Sequence, residues 1–249
     1  MPERNWNKPL QVEKGFRIAC LTGAGISAES GIATFRGMNG MWENHSIEEV
    51  ATPQGFARNP LLVWQFYEAR RRQALTCQPT KGHIGLAKLQ QAVGEDCFCL
   101  TTQNVDGLHQ KAGTKGVLEL HGSLWRVRCV KCGQEREERS LFDELPPKCP
   151  CGGMLRPAIV WFGEMLPGEI FESAGMAATE CDLYLVVGTS GVVEPAASLA
   201  RVAADRGARV WEVNPDETAL TTICERSWRS GAGAVIEEVC EEVMEVAWG

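Results

Sequence analysis

The chain has 249 residues, a formal net charge of −7 and 44% hydrophobic residues, an ordinary composition for a globular protein that can bury a sizeable core. No apolar run reaches the roughly 20 residues of a transmembrane helix, and the first residues lack the apolar stretch of a signal peptide. The acidic balance argues against a general nucleic-acid surface. We therefore expect a cytoplasmic monomer without membrane or direct nucleic-acid partners.

Short apolar runs rich in β-branched residues alternate with segments of helical periodicity. The predicted strands span residues 16–22, 97–102, 117–120, 182–187 and 209–213, and the predicted helices span 61–75, 81–93, 169–179, 196–205 and 234–246. This alternation predicts an α/β fold, a doubly wound Rossmann-like parallel sheet covered by helices on both faces.

Two stretches interrupt the alternation. Residues 36–72 have helical character but no predicted strand, and residues 123–156 are charged and carry cysteines. We predict a smaller lobe made of a helical insertion (36–79) and a zinc-ribbon module (123–156). The segments 1–35, 80–122 and 157–249 would form the Rossmann-like domain.

The first predicted strand ends in a glycine-rich loop. Gly23, Gly25 and Ala28 have the G-x-G-x-x-A spacing that lets a backbone approach a pyrophosphate at a helix N-terminus. Alone, such a loop can also be a simple tight turn. A hydride-transferring domain would show a second strand and an acidic ribose ligand about 20 residues on, but the next strand candidate begins only at Cys97. The loop therefore favours a dinucleotide site without hydride transfer.

Four cysteines form two close pairs. Cys129 and Cys132 are separated by 16 residues from Cys149 and Cys151. Two thiolate pairs at this spacing are typical of a structural zinc site, whose tetrahedral shell they fill completely. The Cys-x-Cys pair departs from the commoner Cys-x-x-Cys and could strain the site. The other seven cysteines are expected to be small buried hydrophobic residues.

Polar segments follow the remaining predicted strands, at residues 103–109, 121–123, 188–190 and 214–216. Each could be a turn when taken alone. Because the carboxyl ends of parallel strands share one edge of the sheet, we expect these segments to converge on a ligand crevice.

The chain has four histidines. His45 sits in a polar loop, His83 lies in an apolar helical pattern typical of a core residue, and His109 follows an Asp-Gly turn, where a capping or surface role is expected. Only His121 lies at a predicted strand end followed by a glycine. A near-neutral pKa suits this imidazole to proton abstraction.

In this order, the motifs resemble the sirtuin family of NAD-dependent protein-lysine deacylases. The match covers roughly residues 16 to 236, and includes Gly23-Ala-Gly-Ile-Ser, Thr34-Phe-Arg-Gly, Thr102-Gln-Asn-Val-Asp, His121-Gly, Val160-Trp-Phe-Gly-Glu, Gly188-Thr-Ser and Asn214-Pro, together with the cysteine pairs. Ala33 departs from the proline of many sirtuins, which could loosen the cofactor loop.

The resemblance implies a role for each matching residue. His121 and Asn104 would be catalytic, with His121 as the general base. The walls that clamp the substrate peptide as an added strand would be Val160, Phe162, Gly163, Glu164 and Val193. The NAD-binding residues would be Gly23, Ala24, Gly25, Ser27, Glu29, Phe35, Arg36, Trp42, Gln103, Asn104, Val105, Asp106, Gly188, Thr189, Ser190, Asn214, Pro215, Asp216 and Ala232.

It also implies a mechanism that needs neither a nucleophile elbow nor an open metal site, and the sequence shows neither. The acyl oxygen of the modified lysine would displace nicotinamide from NAD. His121 would then deprotonate a ribose hydroxyl, and free lysine and O-acyl-ADP-ribose would follow.

Tyr67 and Arg70 give a hypothesis about the acyl group. Three residues apart on a helix, they share one face, and a phenol with a guanidinium makes a good carboxylate receptor. The pair resembles the Tyr-x-x-Arg of class III sirtuins, which remove succinyl, malonyl and glutaryl groups, and Ala51 matches the small residue of their wide pocket. Alternatively, Arg70, Arg71 and Arg72 form a solvated basic face.

Two other functions stay open at this point. The same cofactor and leaving group would serve a protein mono-ADP-ribosyltransferase. A non-catalytic NAD-binding module would use the same loops without turnover.

Overall fold

The computed structural model describes residues 15–32, 41–42 and 45–248. The strands and helices of this part follow in chain order. They are β1 (Ile18–Thr22), β2 (Met41–Trp42), β3 (His45–Ser46), α1 (Ile47–Val50), α2 (Pro53–Arg58), α3 (Pro60–Thr76), α4 (Lys81–Val93), β4 (Phe98–Thr102), α5 (Leu108–Ala112), β5 (Leu118–Glu119), β6 (Gly122–Cys129), β7 (Glu135–Glu137), β8 (Leu155–Ile159), α6 (Gly168–Glu180), β9 (Leu183–Val187), α7 (Ser198–Asp205), β10 (Arg209–Val213), β11 (Arg226–Trp228) and α8 (Ala232–Trp248).

The central element is a six-stranded parallel sheet in the order β11-β10-β9-β1-β4-β5. From β1 the chain builds outward through β4 and β5 on one side, then returns to add β9, β10 and β11 on the other. The order therefore reverses beside β1, which makes the carboxyl ends of β1, β4 and β9 the place where a ligand crevice forms in such sheets. The predicted doubly wound, Rossmann-like sheet is confirmed.

Both faces of the sheet are buried, which explains why its strands are continuous apolar runs. Ile18 and Cys20 of β1 pack in one hydrophobic cluster with α4 and α8. Ala19 and Leu21 point to the opposite face and pack in a second cluster with α6 and α7. All five residues of β1 are buried, so the turn that follows it is held on a rigid support.

A third hydrophobic cluster forms the smaller lobe. It joins α1, α2 and α3 to the antiparallel three-stranded sheet β7-β6-β8. The buried Trp64 of α3 donates its indole N–H to the carbonyl of Leu155 at 2.8 Å. In the same helix, Arg71 pairs with Glu68 at 3.0 Å and donates to the carbonyl of Leu124. The helical segment and the cysteine-bearing segment thus share one core.

The predicted strands and helices are present with ends shifted by a few residues. The sequence did not predict β6, β7, β8 or β11 as strands, nor the hairpin of β2 and β3. The expectation that residues 36–72 contain no strand was therefore wrong. The short helix expected at the glycine-rich loop is a 3₁₀ helix over Ala24–Ser30. Strand β8 runs across the predicted domain boundary at residue 156, and the division into domains remains a prediction. Among the helices that the structure describes, none is long and apolar enough to span a bilayer.

Candidate active site

The turns after β1 and β9 interlock at the carboxyl edge of the sheet. The backbone N–H of Gly25 donates to the carbonyl of Gly188 at 2.8 Å. A Cβ atom on Gly25 would lie 2.7 Å from that oxygen, and Gly188 has a φ of +64°. Both positions therefore require glycine, because a side chain would push the two loops apart. The glycine spacing seen in the sequence serves this close approach.

Residues 103–106 join the turn after β1 through buried polar contacts. Asn104 donates its amide to the carbonyl of Gly23 at 3.0 Å and to the hydroxyl of Ser27 at 3.2 Å. Ser27 in turn donates to the carboxylate of Asp106 at 2.7 Å, and Leu108 donates its backbone N–H to the same group at 2.9 Å. Burial raises the pKa of Asp106, although these bonds oppose the rise. The network fixes the Asn104 and Asp106 side chains at the switch point.

The loop after β9 is tied to the segments that follow β4 and β10. Gln103 donates its side-chain amide to the Thr189 hydroxyl at 2.8 Å. Asn214, after β10, donates its amide to the Thr189 carbonyl at 3.0 Å. The backbone N–H of Ala219 donates to the carbonyl of Ser190 at 3.2 Å. The predicted polar segments after β4, β9 and β10 therefore meet along one rim.

Glu212 organises the far end of this rim, and sequence reasoning missed it. Its fully buried carboxylate accepts bonds from the hydroxyls of Thr218 and Thr221, from Ser227 and from Arg229. These bonds lower the pKa of Glu212 although burial opposes them. An acidic residue inside an apolar strand was the available signal. It braces the loop that contains the exposed Pro215 and Asp216.

The other residues predicted to bind the cofactor occupy the same region, except where they lie outside the description. The carboxylate of Glu29 lies at the start of α8, where a side chain on Gly233 would collide with it. Ala232 is buried, and Ala24 lies half-exposed beside Gly25. Val105 packs towards the smaller lobe. The residues outside the described part are Ala33, Phe35 and Arg36, and of Trp42 only the backbone is described.

His121 follows β5 on this edge. Its Nδ1 lies 3.0 Å from the carbonyl of Gln103. Because a carbonyl only accepts hydrogen bonds, Nδ1 carries the proton, which leaves the lone pair of a neutral ring on Nε2. Burial lowers the pKa of His121, and the bond to Gln103 offsets only part of that effect. At neutral pH the imidazole is therefore uncharged and is held in one tautomer, with its proton on Nδ1.

Two further histidines lie beneath the site. The His83 ring meets the His109 ring edge-on at 4.7 Å, and both are fully buried. His109 contacts the Thr22 hydroxyl at 2.9 Å, and His83 contacts Ser27 at 3.3 Å. His83 is the expected core residue, but the expected capping or surface role of His109 was wrong, because α5 packs it against α4.

Residues 160–164, which we call the clamp segment, connect the base to the smaller lobe. Val160 donates its backbone N–H to the carbonyl of His121 at 2.9 Å, and Phe162 donates to the carbonyl of Ala51 at 2.9 Å. Phe162 is half-exposed, and Gly163 has a φ of +87°. Val193 lies in a different loop, after β9, where its carbonyl accepts from Ala197. The segment thus begins directly beside His121 and reaches Ala51 of the smaller lobe.

Tyr67 and Arg70 lie behind this segment. Both are buried, at 0% and 6% exposure, and so is Arg71 at 1%. The alternative of a solvated basic face is therefore wrong for Arg70 and Arg71, although Arg72 is exposed. Burial raises the pKa of Tyr67, and the Arg70 charge acts on both Tyr67 and Asp106. Arg70 is accordingly close enough to act on both the phenol and the buried polar network.

The four cysteines cluster as predicted. Their sulfur atoms all lie within 4.8 Å of one another, with Cys129 to Cys151 at 3.5 Å and Cys132 to Cys149 at 3.9 Å. Tetrahedral zinc with bonds of about 2.3 Å needs sulfurs about 3.8 Å apart, so this donor set fits the ion despite the Cys-x-Cys pair. The backbone N–H groups of Cys132 and Lys131 lower the pKa of Cys129 to about 6, which favours the thiolate.

The seven remaining cysteines follow the expectation in part. Cys20, Cys77, Cys181 and Cys240 are buried, whereas Cys97, Cys99 and Cys224 are half-buried.

The fold and this site define a class: an α/β dinucleotide-binding protein with a structural zinc module. The model of the Sir2 family matches residues 23–195. An NAD-dependent protein deacylase of Aquifex aeolicus is 50% identical over 234 residues, which cover 93% of this chain and 97% of the relative. The chain belongs to the Sir2 family.

Solved structures give the same result. A Sir2 homologue in complex with NAD is 45% identical and superposes with a TM-score of 0.86, covering 94% of this chain and 91% of that one. A Sir2 mutant with a deacetylated p53 peptide and 3'-O-acetyl-ADP-ribose is 32% identical, with a TM-score of 0.81 over 92% of this chain and 94% of that one.

Proposed function

We propose that this Sir2-family enzyme removes carboxylated acyl groups, succinyl and malonyl, from protein lysines as well as acetyl groups. The chain is an NAD-dependent protein deacylase, as are the relatives that share about half of its residues over nearly their whole length. The finer specificity rests on one observation: the buried phenol of Tyr67 contacts Trp161 of the clamp segment, and the buried guanidinium of Arg70 lies close enough to act on that phenol.

The residues at the carboxyl edge of the sheet fit NAD. Two glycines let the loops of residues 23–25 and 188–190 approach each other closely, and buried amide and carboxyl groups of Asn104 and Asp106 supply polar contacts. When bound, NAD supplies an electrophilic ribose carbon and nicotinamide as the leaving group. The four cysteines would hold zinc with all four of its positions filled, so the ion would serve the structure of the smaller lobe.

His121 accepts a proton from a ribose hydroxyl through Nε2. Its Nδ1–H stays bonded to the carbonyl of Gln103, so the imidazolium that forms is stabilised without moving the ring. Asn104 is fixed by Gly23 and Ser27, which lets it orient the ribose and exclude alternative poses.

The clamp segment binds the substrate backbone. Its residues are tied to His121 on one side and to Ala51 on the other, so an extended peptide that pairs with the segment presents its acyl-lysine to the base. Such pairing reads little side-chain sequence and suits many acylated proteins.

Tyr67 and Arg70 recognise the distal carboxylate of the acyl group. Tyr67 accepts a bond from the indole N–H of Trp161 at 2.9 Å and keeps its own proton, because burial raises its pKa. Its hydroxyl proton can therefore be donated to a carboxylate, while Arg70 supplies the charge. Ala51, at 3% exposure, leaves the pocket wide at this end.

The test compares deacylation of one peptide that carries acetyl-, succinyl- or malonyl-lysine. Wild-type enzyme should process all three, and Arg70→Met should reduce kcat/KM for the succinyl peptide at least about a hundredfold and for the acetyl peptide by less than about fivefold. Arg72→Met is the matched control, since Arg72 is the exposed member of the same run. Equal loss on all three peptides, or no desuccinylation by wild type, contradicts the proposed specificity.

The two other functions predict different products. A mono-ADP-ribosyltransferase would label protein with ADP-ribose, whereas a deacylase releases O-acyl-ADP-ribose into solution. His121→Ala would not change the behaviour of a non-catalytic module. The deacylase with this substitution should lose turnover and keep its zinc and its fold.

A further inference from the structure

Arg156 makes an unusually dense set of contacts for a residue outside the predicted site. It lies in β8, directly before the clamp segment, and is 7% exposed. Its guanidinium donates to both carboxylate oxygens of Glu164, at 2.6 and 2.8 Å. It also donates to the carbonyl of Ile159 at 2.9 Å and lies 3.5 Å above the centre of the Trp161 ring. Arg156 therefore contacts the residue directly before the clamp segment, the Trp161 ring within it and its last residue, Glu164.

Glu164 closes the same structure from the other side. Its carboxylate accepts the backbone N–H of Trp161 at 2.9 Å in addition to the two bonds from Arg156. These bonds lower the pKa of Glu164 even though burial opposes the shift. The carboxylate is thus committed to shaping the segment, and the backbone N–H of Glu164 also donates within it, to the carbonyl of Trp161 at 2.9 Å.

Trp161 connects Arg156 and the clamp segment to Tyr67 of the proposed acyl pocket. Its ring is stacked under Arg156, and its indole N–H donates to the Tyr67 hydroxyl. The indole can meet that hydroxyl only while the ring stays in place. A chain of contacts therefore runs from Arg156 through Trp161 to Tyr67.

We propose that Arg156 is a positioning residue that sets both the shape of the peptide-binding clamp and the orientation of Tyr67, so that one side chain couples peptide affinity to acyl selectivity. The selectivity part rests on the proposed function, and the peptide part does not. Arg156 touches neither the base nor the glycine loops in the contacts described, so NAD binding should be insensitive to it.

The experiment measures KM for peptide, KM for NAD and the ratio of desuccinylation to deacetylation in Arg156→Met, Arg156→Lys and Glu164→Gln. Arg156→Met should raise the peptide KM about tenfold, leave the NAD KM within about twofold and lower the acyl ratio about threefold or more. Arg156→Lys should recover part of both effects, because an ammonium keeps the charge but not the fork or the stacking plane.

Arg209→Met is the control. Arg209 makes a comparable two-pronged pair with Glu225 at 2.7 and 2.8 Å and lies 5.3 Å above the ring of Trp211, at the opposite end of its strand from the site. It should leave both KM values and the acyl ratio unchanged. The double variant Arg156→Met/Glu164→Gln should be no worse than Arg156→Met, because both changes break the same pair.

The proposal is overturned if the peptide and NAD KM values rise together, if the peptide KM stays at the wild-type value, or if Arg209→Met has the same effect. Should Arg156→Met fail to fold, Arg156→Lys and Glu164→Gln carry the test with the same expected directions. The acetyl-peptide KM does not depend on acidic-acyl specificity, so the absence of desuccinylation in wild type would refute that specificity without removing this test.

Discussion

The Nδ1 atom of His121 lies 3.0 Å from the carbonyl oxygen of Gln103, the residue directly before Asn104. The base is therefore fastened to the same chain segment that carries the amide expected to grip the ribose. Proton acceptor and cofactor contact keep a constant relative position, because neither can shift without breaking this bond.

The pH dependence of catalysis should reflect the buried imidazole. His121 acts as a base only when unprotonated, and burial lowers its pKa below the ordinary 6.5. We expect kcat/KM to stay level as the pH falls from about 8 to 6.5 and to decline only below that value. Measurement over this range with acetyl peptide tests the prediction. An inflection in the kcat/KM profile at or above pH 7 would contradict the prediction, provided that the profile for nicotinamide release alone lacks that inflection.

Folding stability should fall in mild acid because of His83. Burial lowers its pKa from 6.5 to about 4, so between these values the unfolded chain binds a proton that the folded chain does not. The free energy of unfolding should thus decrease as the pH falls from 6.5 towards 4, by up to about 3 kcal/mol. Urea unfolding of wild type and His83→Gln at about pH 7.5 and pH 5 measures it. The variant should lose less stability between the two pH values, and equal losses would argue against this assignment.

Arg71 should matter for stability far more than its neighbour. It is 1% exposed and pairs with Glu68, itself buried, while donating to the carbonyls of Leu124 and Ser140. Arg71→Met would strand the Glu68 carboxylate, and we expect a loss of about 3–5 kcal/mol in urea unfolding. The exposed Arg72→Met should change stability by less than about 0.5 kcal/mol. Similar values for the two variants would show that the buried pair contributes little.

Gly153 should be necessary for the zinc cluster. A Cβ atom there would lie 2.7 Å from the sulfur of Cys129 and 3.3 Å from that of Cys151. Gly153→Ala should therefore weaken zinc binding at least about tenfold, measured by competition with a chromogenic chelator. Gly175→Ala, in α6 with nothing near its Cβ position, should keep wild-type affinity. Unaltered binding in Gly153→Ala would mean that the cluster tolerates a wider spacing.

Sequence patterns predicted the elements that are long and uniformly buried. Strand β1 is one apolar run because both of its faces are covered, and α4 shows a helical stripe. Strand β11 has only Arg226, Ser227 and Trp228, none of them fully buried, so it carries no apolar signal. The hairpin of β2 and β3 pairs only two residues on each strand. Short elements of this kind depend on their neighbours, not on their own composition.

The residues of the site show a similar difference between those that the sequence predicted and those that it did not. Motif spacing brought out the glycines, the cysteines and His121, because backbone turns and metal ligation demand particular residue types. It failed for His109 and did not single out Arg71, because the burial of both is imposed by distant segments. Helix α4 covers His109, and Arg71 donates to the carbonyls of Leu124 and Ser140. Sequence reasoning also missed Glu212 and Arg156, since the role of each depends on partners in the loop that follows its strand.

Strand β8 has a consequence for how metal status is felt by the enzyme. It pairs with β6, whose last residue is the zinc ligand Cys129, and ends one residue before the clamp segment. Oxidation of the thiolates or withdrawal of the ion would loosen this strand from its Leu155 end, where it pairs with Cys129, towards the clamp segment, whereas the dinucleotide loops are carried by a separate sheet. Zinc depletion in the cell should therefore weaken the binding of acylated protein while the cofactor still binds.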